Sequence, residues 1–237
     1  MKNKTRTWIA GIFSAVVCFS LASCGNEVSQ VDQDTQFYQK SDFQPFATVN
    51  GEPSFFDESY VDAYMEFQDR YLELTRQRIE QDYSNNLLTQ EQYDEKMAAY
   101  QTAKSENTRD AVIEELVKDT ILEQEASKRG VNLSVEESID EAKAYTDNLK
   151  QTFSADTSTE KDESIVLFEA FLEDLGMTYE EYAESYLAYS FYIREIEREV
   201  TESLADEKGL ADKSDEVKNE AYASYMDQLY QKAKVVE

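Results

Sequence analysis

No histidine occurs in the 237 residues. Serine–histidine–aspartate and cysteine–histidine catalysis are closed to such a chain, as are the usual histidine-containing zinc sites. Cysteine is almost as scarce, with Cys18 and Cys24 the two present. Cations are few: 23 Lys and Arg stand against 50 Asp and Glu, a net charge of −27. That excess repels nucleic acid, whose binding depends on neutralising phosphates. It repels anionic lipid headgroups equally. No phosphate-binding GxxxxGK[ST] loop is present, which leaves an ATP-driven cycle unsupported. With six Gly and two Pro, helical periodicity runs nearly uninterrupted. The alternating β/α pattern of solute-capture proteins is missing.

The one long apolar stretch, residues 8–21, follows Lys2, Lys4 and Arg6 and ends in Leu21-Ala22-Ser23-Cys24. It has the length of an exported signal core, short of the roughly 20 residues needed to span a bilayer. The closing four residues resemble a bacterial lipobox, in which the chain is cut before a cysteine whose sulfur takes a diacylglycerol. Residues 1–23 are therefore expected to be a signal peptide and Cys24 the lipidated position. Removing those three cations from 23 leaves 20 against 50 acids, a net of −30. No second cysteine would then remain for a disulfide. Residues 24–44 are polar and without sustained period, and are expected to form a flexible tether. Its r.m.s. reach is about 25 Å. The implied location is the extracytoplasmic face of a bacterial membrane, of Gram-positive type, with membrane contact through the lipid alone.

Residues 45–237 are expected to form one mainly α-helical, multi-helix domain. Phe46-Ala47-Thr48-Val49-Asn50-Gly51-Glu52-Pro53 reads as a short strand leaving through a tight turn. A first helix over 57–82 carries Tyr60, Tyr64, Phe67, Tyr71 and Leu74 on one face. Asn85-Asn86 breaks it, and Thr89 caps a shorter helix with Tyr93, Met97 and Tyr100. The next helix, over 105–129, turns Val112, Ile113, Leu116, Val117, Thr120 and Ile121 inward and stops at Gly130. Ser134 opens a helix with Ile139, Ala142, Tyr145 or Thr146, and Leu149 inward. A polar loop over 154–162 leads to a helix closed by Gly176. Thr178-Tyr179-Glu180-Glu181 is a capping box opening the longest pattern: Tyr182, Tyr186, Tyr189, Ile193, Ile196, Val200. A connector near 206–214 precedes a terminal helix over 214–233, with Val217, Ala221, Tyr225 and Leu229 on one side. Val235-Val236 is expected to pair beside residues 47–49, a small two-stranded joining of the domain's ends.

These segments, in this order, resemble the N-terminal chaperone domain of the SurA/PrsA type. Val49-Asn50-Gly51-Glu52-Pro53 before a long helix is similar to that family's opening motif. Residues 112–131, VIEELVKDTILEQEASKRGV, resemble its central helix, and residues 134–142 the continuation. Leu175-Gly176-Met177-Thr178-Tyr179-Glu180-Glu181-Tyr182 resembles its later capping segment. Lys232-Ala233-Lys234-Val235-Val236 resembles its closing strand. Residues 83–107 look like an insertion in the first helical hairpin. The parvulin isomerase domain that often sits in such proteins has no room in the connector near 206–214, and its histidines are absent. The resemblance implies a chaperone module without isomerase activity.

Sixteen Tyr and twelve Phe supply the surface for such work. A tyrosine ring offers broad apolar area and a hydroxyl at small entropic cost. A groove between the first helix, the helix over 182–200 and the terminal helix would present rings to an extended client. Tyr64, Phe67, Tyr186, Tyr189, Ile193 and Ile196 are expected in the core seam. Tyr179, Phe191, Tyr192, Tyr222 and Tyr230 lie off it and are the client-binding candidates. No acid sits in a sequence setting that would raise its pKa, so no carboxylate-based hydrolase is expected, nor any metal or cofactor. The expected activity is a holdase for unfolded or secreted polypeptides, non-enzymatic. The alternative is an envelope scaffold docking one folded partner.

Overall fold

The computed structural model describes residues 36–131, 133–155 and 163–236. The signal segment, Cys24, most of the tether and most of the loop expected over 154–162 lie outside the described residues. The described residues divide into two compact units. One is Asp69–Asn107, and the other combines residues 36–68 with 108–236.

The smaller unit is a helical hairpin made by the second half of α1 (Glu58–Ser84) and α2 (Gln90–Glu106). Asn86 takes the left-handed conformation at φ 57°, which asparagine tolerates better than other side-chain-bearing residues. Thr89 and Gln92 then close a reciprocal capping box. Leu72, Ile79 and Tyr100 form a small core, with Leu88, Tyr93 and Met97 packed against it. The segment over 83–107 is thus one arm of a hairpin that also uses the end of α1.

In the larger unit, β1 (Thr48–Val49) and β2 (Glu52–Pro53) are joined by Asn50-Gly51, both at positive φ (55° and 94°). That is the two-residue turn whose twist suits a hairpin. β3 (Val235–Val236) pairs antiparallel with β1, Val236 opposite Thr48. The expected pairing of the chain ends is present, but the sheet has three strands in the order β2-β1-β3. Asn50 holds this corner. Its N–H donates to the Lys234 carbonyl at 2.8 Å and its Oδ1 accepts from the Lys234 N–H at 3.0 Å. Its Nδ2 donates to Gln124 Oε1 at 2.9 Å, and Gln124 Nε2 donates to the Val49 carbonyl at 2.8 Å.

Helix α3 (Arg109–Arg129) begins four residues later than the expected 105. Ser105 and Glu106 finish α2, and Thr108, extended at φ −123°, accepts from the Ala111 N–H. A threonine hydroxyl competing for backbone N–H groups favours a cap over a helix interior. At the other end Gly130 takes φ 74° in the expected left-handed cap. α4 (Val135–Ala155) and α5 (Glu163–Leu175) follow. Residues 179–207 then run as one helix, α6, in three pieces: α-helical Tyr179–Tyr182, a π-helical turn Ala183–Leu187, and α-helical Ala188–Glu207. Thr178 and Glu181 form its capping box. α7 (Asp215–Tyr230) closes the unit.

α6 packs against α3, α4 and α7 and is the centre of the unit. Its seam residues Tyr182, Tyr186, Tyr189, Ile193, Ile196 and Val200 are all buried, as are Tyr60, Tyr64 and Phe67 of α1. Two positions depart from the sequence pattern. Val217 on α7 is 38 % exposed, and Met226 is the buried residue of that helix. Positions 217, 221, 225 and 229 advance by four, so each step drifts about 40° round a 3.6-residue helix and the first leaves the buried side. Phe191, placed off the seam, is 4 % exposed.

Asn50 gives the sheet corner a direct test. Asn50→Gly keeps the positive φ and deletes two side-chain hydrogen bonds; Asn50→Ala also adds left-handed strain. We expect Asn50→Ala to cost about 2 kcal/mol and Asn50→Gly about half of that, read as shifts in the urea midpoint. Equal losses would show that the hydrogen bonds alone carry the effect.

Candidate functional site

The caps of α3 fix which way its faces point. With Val112, Leu116, Val117 and Ile121 buried, Glu115, Asp119 and Glu123 fall beside them in a stripe of four-residue steps, each half-buried. About 6 Å of helix separates successive members. Glu123 accepts a hydrogen bond from the Tyr189 hydroxyl at 2.9 Å. Glu115 and Asp119 have no hydrogen-bond or ion-pair partner among the described residues. Burial, reinforced by Glu115, Glu123 and Glu197, pushes the Asp119 carboxyl well above the usual carboxylate range. Burial also raises Glu115, against the pull of Lys118, and raises Glu123 against the Tyr189 hydrogen bond. The expectation that no acid is so placed is therefore overturned. What the sequence concealed is that four helices bring rings and charges to one spot.

Asp119 is the focus of that convergence. Its charge acts on Tyr60 and Tyr64 of α1, Tyr189 of α6 and Tyr222 of α7, all raised first by burial. Asp119 of α3 thus acts on rings from all three of the helices between which a groove is expected. A recess of about 840 Å³ opens at the Glu123 end, lined by Asn50, Glu52, Thr120, Glu123, Gln124 and Leu229 among others. Among the described residues no acidic group is arranged to hold a metal ion. The stripe is laid out along an axis, which suits an extended cationic segment better than a point ion.

Next to Glu123 lies an aromatic slot. Phe55 stacks on Tyr189 with ring centroids 4.1 Å apart. Phe37 sits edge-on against Phe55 (5.4 Å), Tyr189 (5.7 Å) and Tyr192 (5.4 Å). The residues after Phe37 are held as well. The Tyr38 N–H donates to the Glu184 carbonyl at 3.0 Å, and its hydroxyl donates to Glu181 at 3.2 Å. The Lys40 ammonium donates to the Leu175 carbonyl at the end of α5, where a cation suits the helix dipole. The Thr178 cap bonds, and then Tyr38 and Lys40, hold the Glu181 carboxyl below its ordinary pKa. The π-helical turn matters here. Ser185 at φ −111°, ψ −107° departs from helical geometry and reorients the peptide whose carbonyl is that of Glu184. Residues 37–40, expected as the end of a flexible tether, are held against α5 and α6.

Of the five candidate rings, the structure brings Tyr192 and Tyr222 to this site. Tyr192 walls the slot, its hydroxyl pKa raised by burial and by Glu123. Tyr222 lies near Asp119 and Glu197. Tyr179 packs on Phe168 at 5.6 Å, and Tyr230 lies under the Lys118 ammonium at 5.3 Å. Phe191 is removed from the set: it is buried beside Tyr145 and beneath the Arg194 guanidinium at 4.8 Å. Glu115, Asp119, Glu123, Phe37 and Phe55 were missed. The four-residue spacing of the acids next to apolar positions was the available signal.

No protein-family model, curated protein or solved structure matches the chain. No helix among the described residues is long and apolar enough to cross a membrane.

Asp119 favours its protonated form in the folded state, so ionising it opposes folding at neutral pH. That penalty builds as pH rises past the unfolded carboxyl value, near 4, and is complete above the raised folded value. Asp119→Asn should therefore raise the melting temperature at pH 7 by about 2–4 °C, the equivalent of roughly 1 kcal/mol. The gain should shrink toward zero as melts are repeated down to pH 4. A substitution that destabilises equally at both pH values would disprove the assignment.

Proposed function

We propose that this chain is a lipid-anchored extracytoplasmic holdase, which binds unfolded or secreted polypeptide segments through rings and carboxylates and performs no covalent chemistry. The observation that carries the reading is the surface shared by α3, α6 and α7. It sets half-exposed tyrosine rings beside Glu115 and Asp119, carboxylates that make no ion pair among the described residues. Rings give sequence-tolerant apolar contact, and unpaired carboxylates favour segments rich in Lys and Arg. The resemblance of residues 46–237 to the SurA/PrsA N-terminal module supports the same reading, as does the lipobox-like run ending at Cys24. The net charge would keep loaded complexes apart.

Two measurements test it. Purified protein at stoichiometric ratio should slow the aggregation of a chemically unfolded cationic client, read by light scattering. Glu115→Gln, Asp119→Asn and Glu123→Gln combined should weaken that effect at least threefold, with less loss for an acidic client. No protection by the unaltered chain removes the holdase reading. Separately, Cys24→Ser should move the chain from the membrane fraction to the soluble fraction; retention in the membrane would exclude anchoring through that sulfur.

A further inference from the structure

Residues 37–40 make a pattern of contacts that a packed loop does not need. One ring enters a three-ring slot, and one backbone N–H meets a carbonyl reoriented by a π-helical turn. One ammonium then caps a helix C-terminus three residues beyond the ring. Extended peptides are bound in this way, with main-chain hydrogen bonds supplying affinity and side-chain pockets supplying choice. The receiving groups lie far away in sequence: Glu184, Glu181, Leu175, Tyr189 and Tyr192. The Phe37 ring itself is only half-buried.

We propose that the slot walled by Phe55, Tyr189 and Tyr192, together with the Glu184 carbonyl, is a binding site for an extended peptide. The peptide it fits carries an aromatic residue followed three positions later by Lys or Arg, and Phe37-Tyr38-Gln39-Lys40 is its resident, displaceable occupant. The inference deepens the holdase reading by naming the client segment and the device that keeps the slot covered between clients. Glu123, bonded to the slot ring Tyr189, continues into the carboxylate stripe. A longer client would therefore find anionic ground next to the slot. The resident segment competes at an effective concentration of order millimolar, because it is joined to the slot by a short connection. A free peptide of equal intrinsic affinity therefore binds visibly only when the resident is weakened.

The probe is a fluorescein-labelled peptide of residues 35–42, added to the full chain and to its Phe37→Asp form and read by anisotropy. Phe37→Asp replaces the ring with a carboxylate among three aromatic rings and should empty the slot. The altered chain should bind the peptide at least fivefold more tightly than the unaltered one. A peptide with its own phenylalanine changed to alanine should not bind. Thermal melts give the second readout: the altered chain melts lower, and millimolar unlabelled peptide should restore part of the loss. Equal binding by both chains, or neither binding nor thermal rescue for the altered chain, would show that residues 37–40 are fixed structure and overturn the proposal. Aggregation assays are independent of these outcomes. Peptide exchange without client protection would sink the holdase reading alone, and protection without exchange would sink this inference alone.

Discussion

Tyr189 is 1 % exposed, enclosed where α3 packs on α6, and a phenol so enclosed must find a hydrogen-bond partner or forfeit the desolvation cost of its hydroxyl. Glu123 supplies that partner at 2.9 Å. A carboxylate is therefore fixed at the boundary between core and solvent as a consequence of packing. The same ring stacks on Phe55 at 4.1 Å and meets Phe37 edge-on. Core seam, acidic stripe and aromatic slot thus share one side chain. Moving Tyr189 would disturb all three, so the site's geometry is inherited from the buried core of the unit.

The unpaired state of Asp119 is not simply the result of having few cations. On the same helix Glu125, buried at 6 %, is fully answered: Arg129 Nε donates to it at 2.7 Å and the Tyr225 hydroxyl at 2.7 Å. Arg129 also reaches Ser203 and Glu207, tying α3 to α6, and its guanidinium lies over the Tyr225 ring. Lys118, one residue from Asp119, is spent on Glu114 and Asp227. Both cations thus make their ion pairs at the joint between α3 and the last two helices, and Glu115 and Asp119 are left without one among the described residues. Like charges held at such spacing cost stability, and a chain that could have placed a Lys among them has not. A tolerated cost of this kind is characteristic of groups kept for a ligand.

The features legible in sequence were those decided within a few residues. Asn50-Gly51 could make only a tight hairpin turn, Gly130 a left-handed cap, and Thr178 with Glu181 a reciprocal box, and each is in place. Core membership along α6 was equally readable, since steps of four and three keep one side of a helix in register. The steady four-residue step on α7 misled, because it drifts and carries Val217 outward. Phe191 looked free on its own helix, but α4 and Arg194 cover it, and no local pattern reports a neighbour from another helix. The slot was hidden for the same reason. Phe37 and Tyr38 belong to a polar, aperiodic stretch, and their partners other than Phe55 lie more than 140 residues on. The stripe was readable as spacing, but its raised pKa values depend on α1, α6 and α7 closing round it.

On the lipid-anchored reading, the resident segment also sets how far the body stands from the membrane. Phe37 lies thirteen positions after Cys24, and covalent geometry lets that stretch span at most about 45 Å. With residues 37–40 released, the first fixed position becomes Phe46, whose N–H bonds the Phe56 carbonyl. The span can then reach about 75 Å. Occupying the slot with a client would therefore lengthen the leash at the same moment that the client is taken up. Losing the client would draw the body back. The coupling needs no nucleotide and no conformational change in the helices, because one peptide segment is simultaneously the competitor for the site and the last link of the anchor. On the proposal made above, the adjacent Phe and Tyr of this polar segment would serve as the latch.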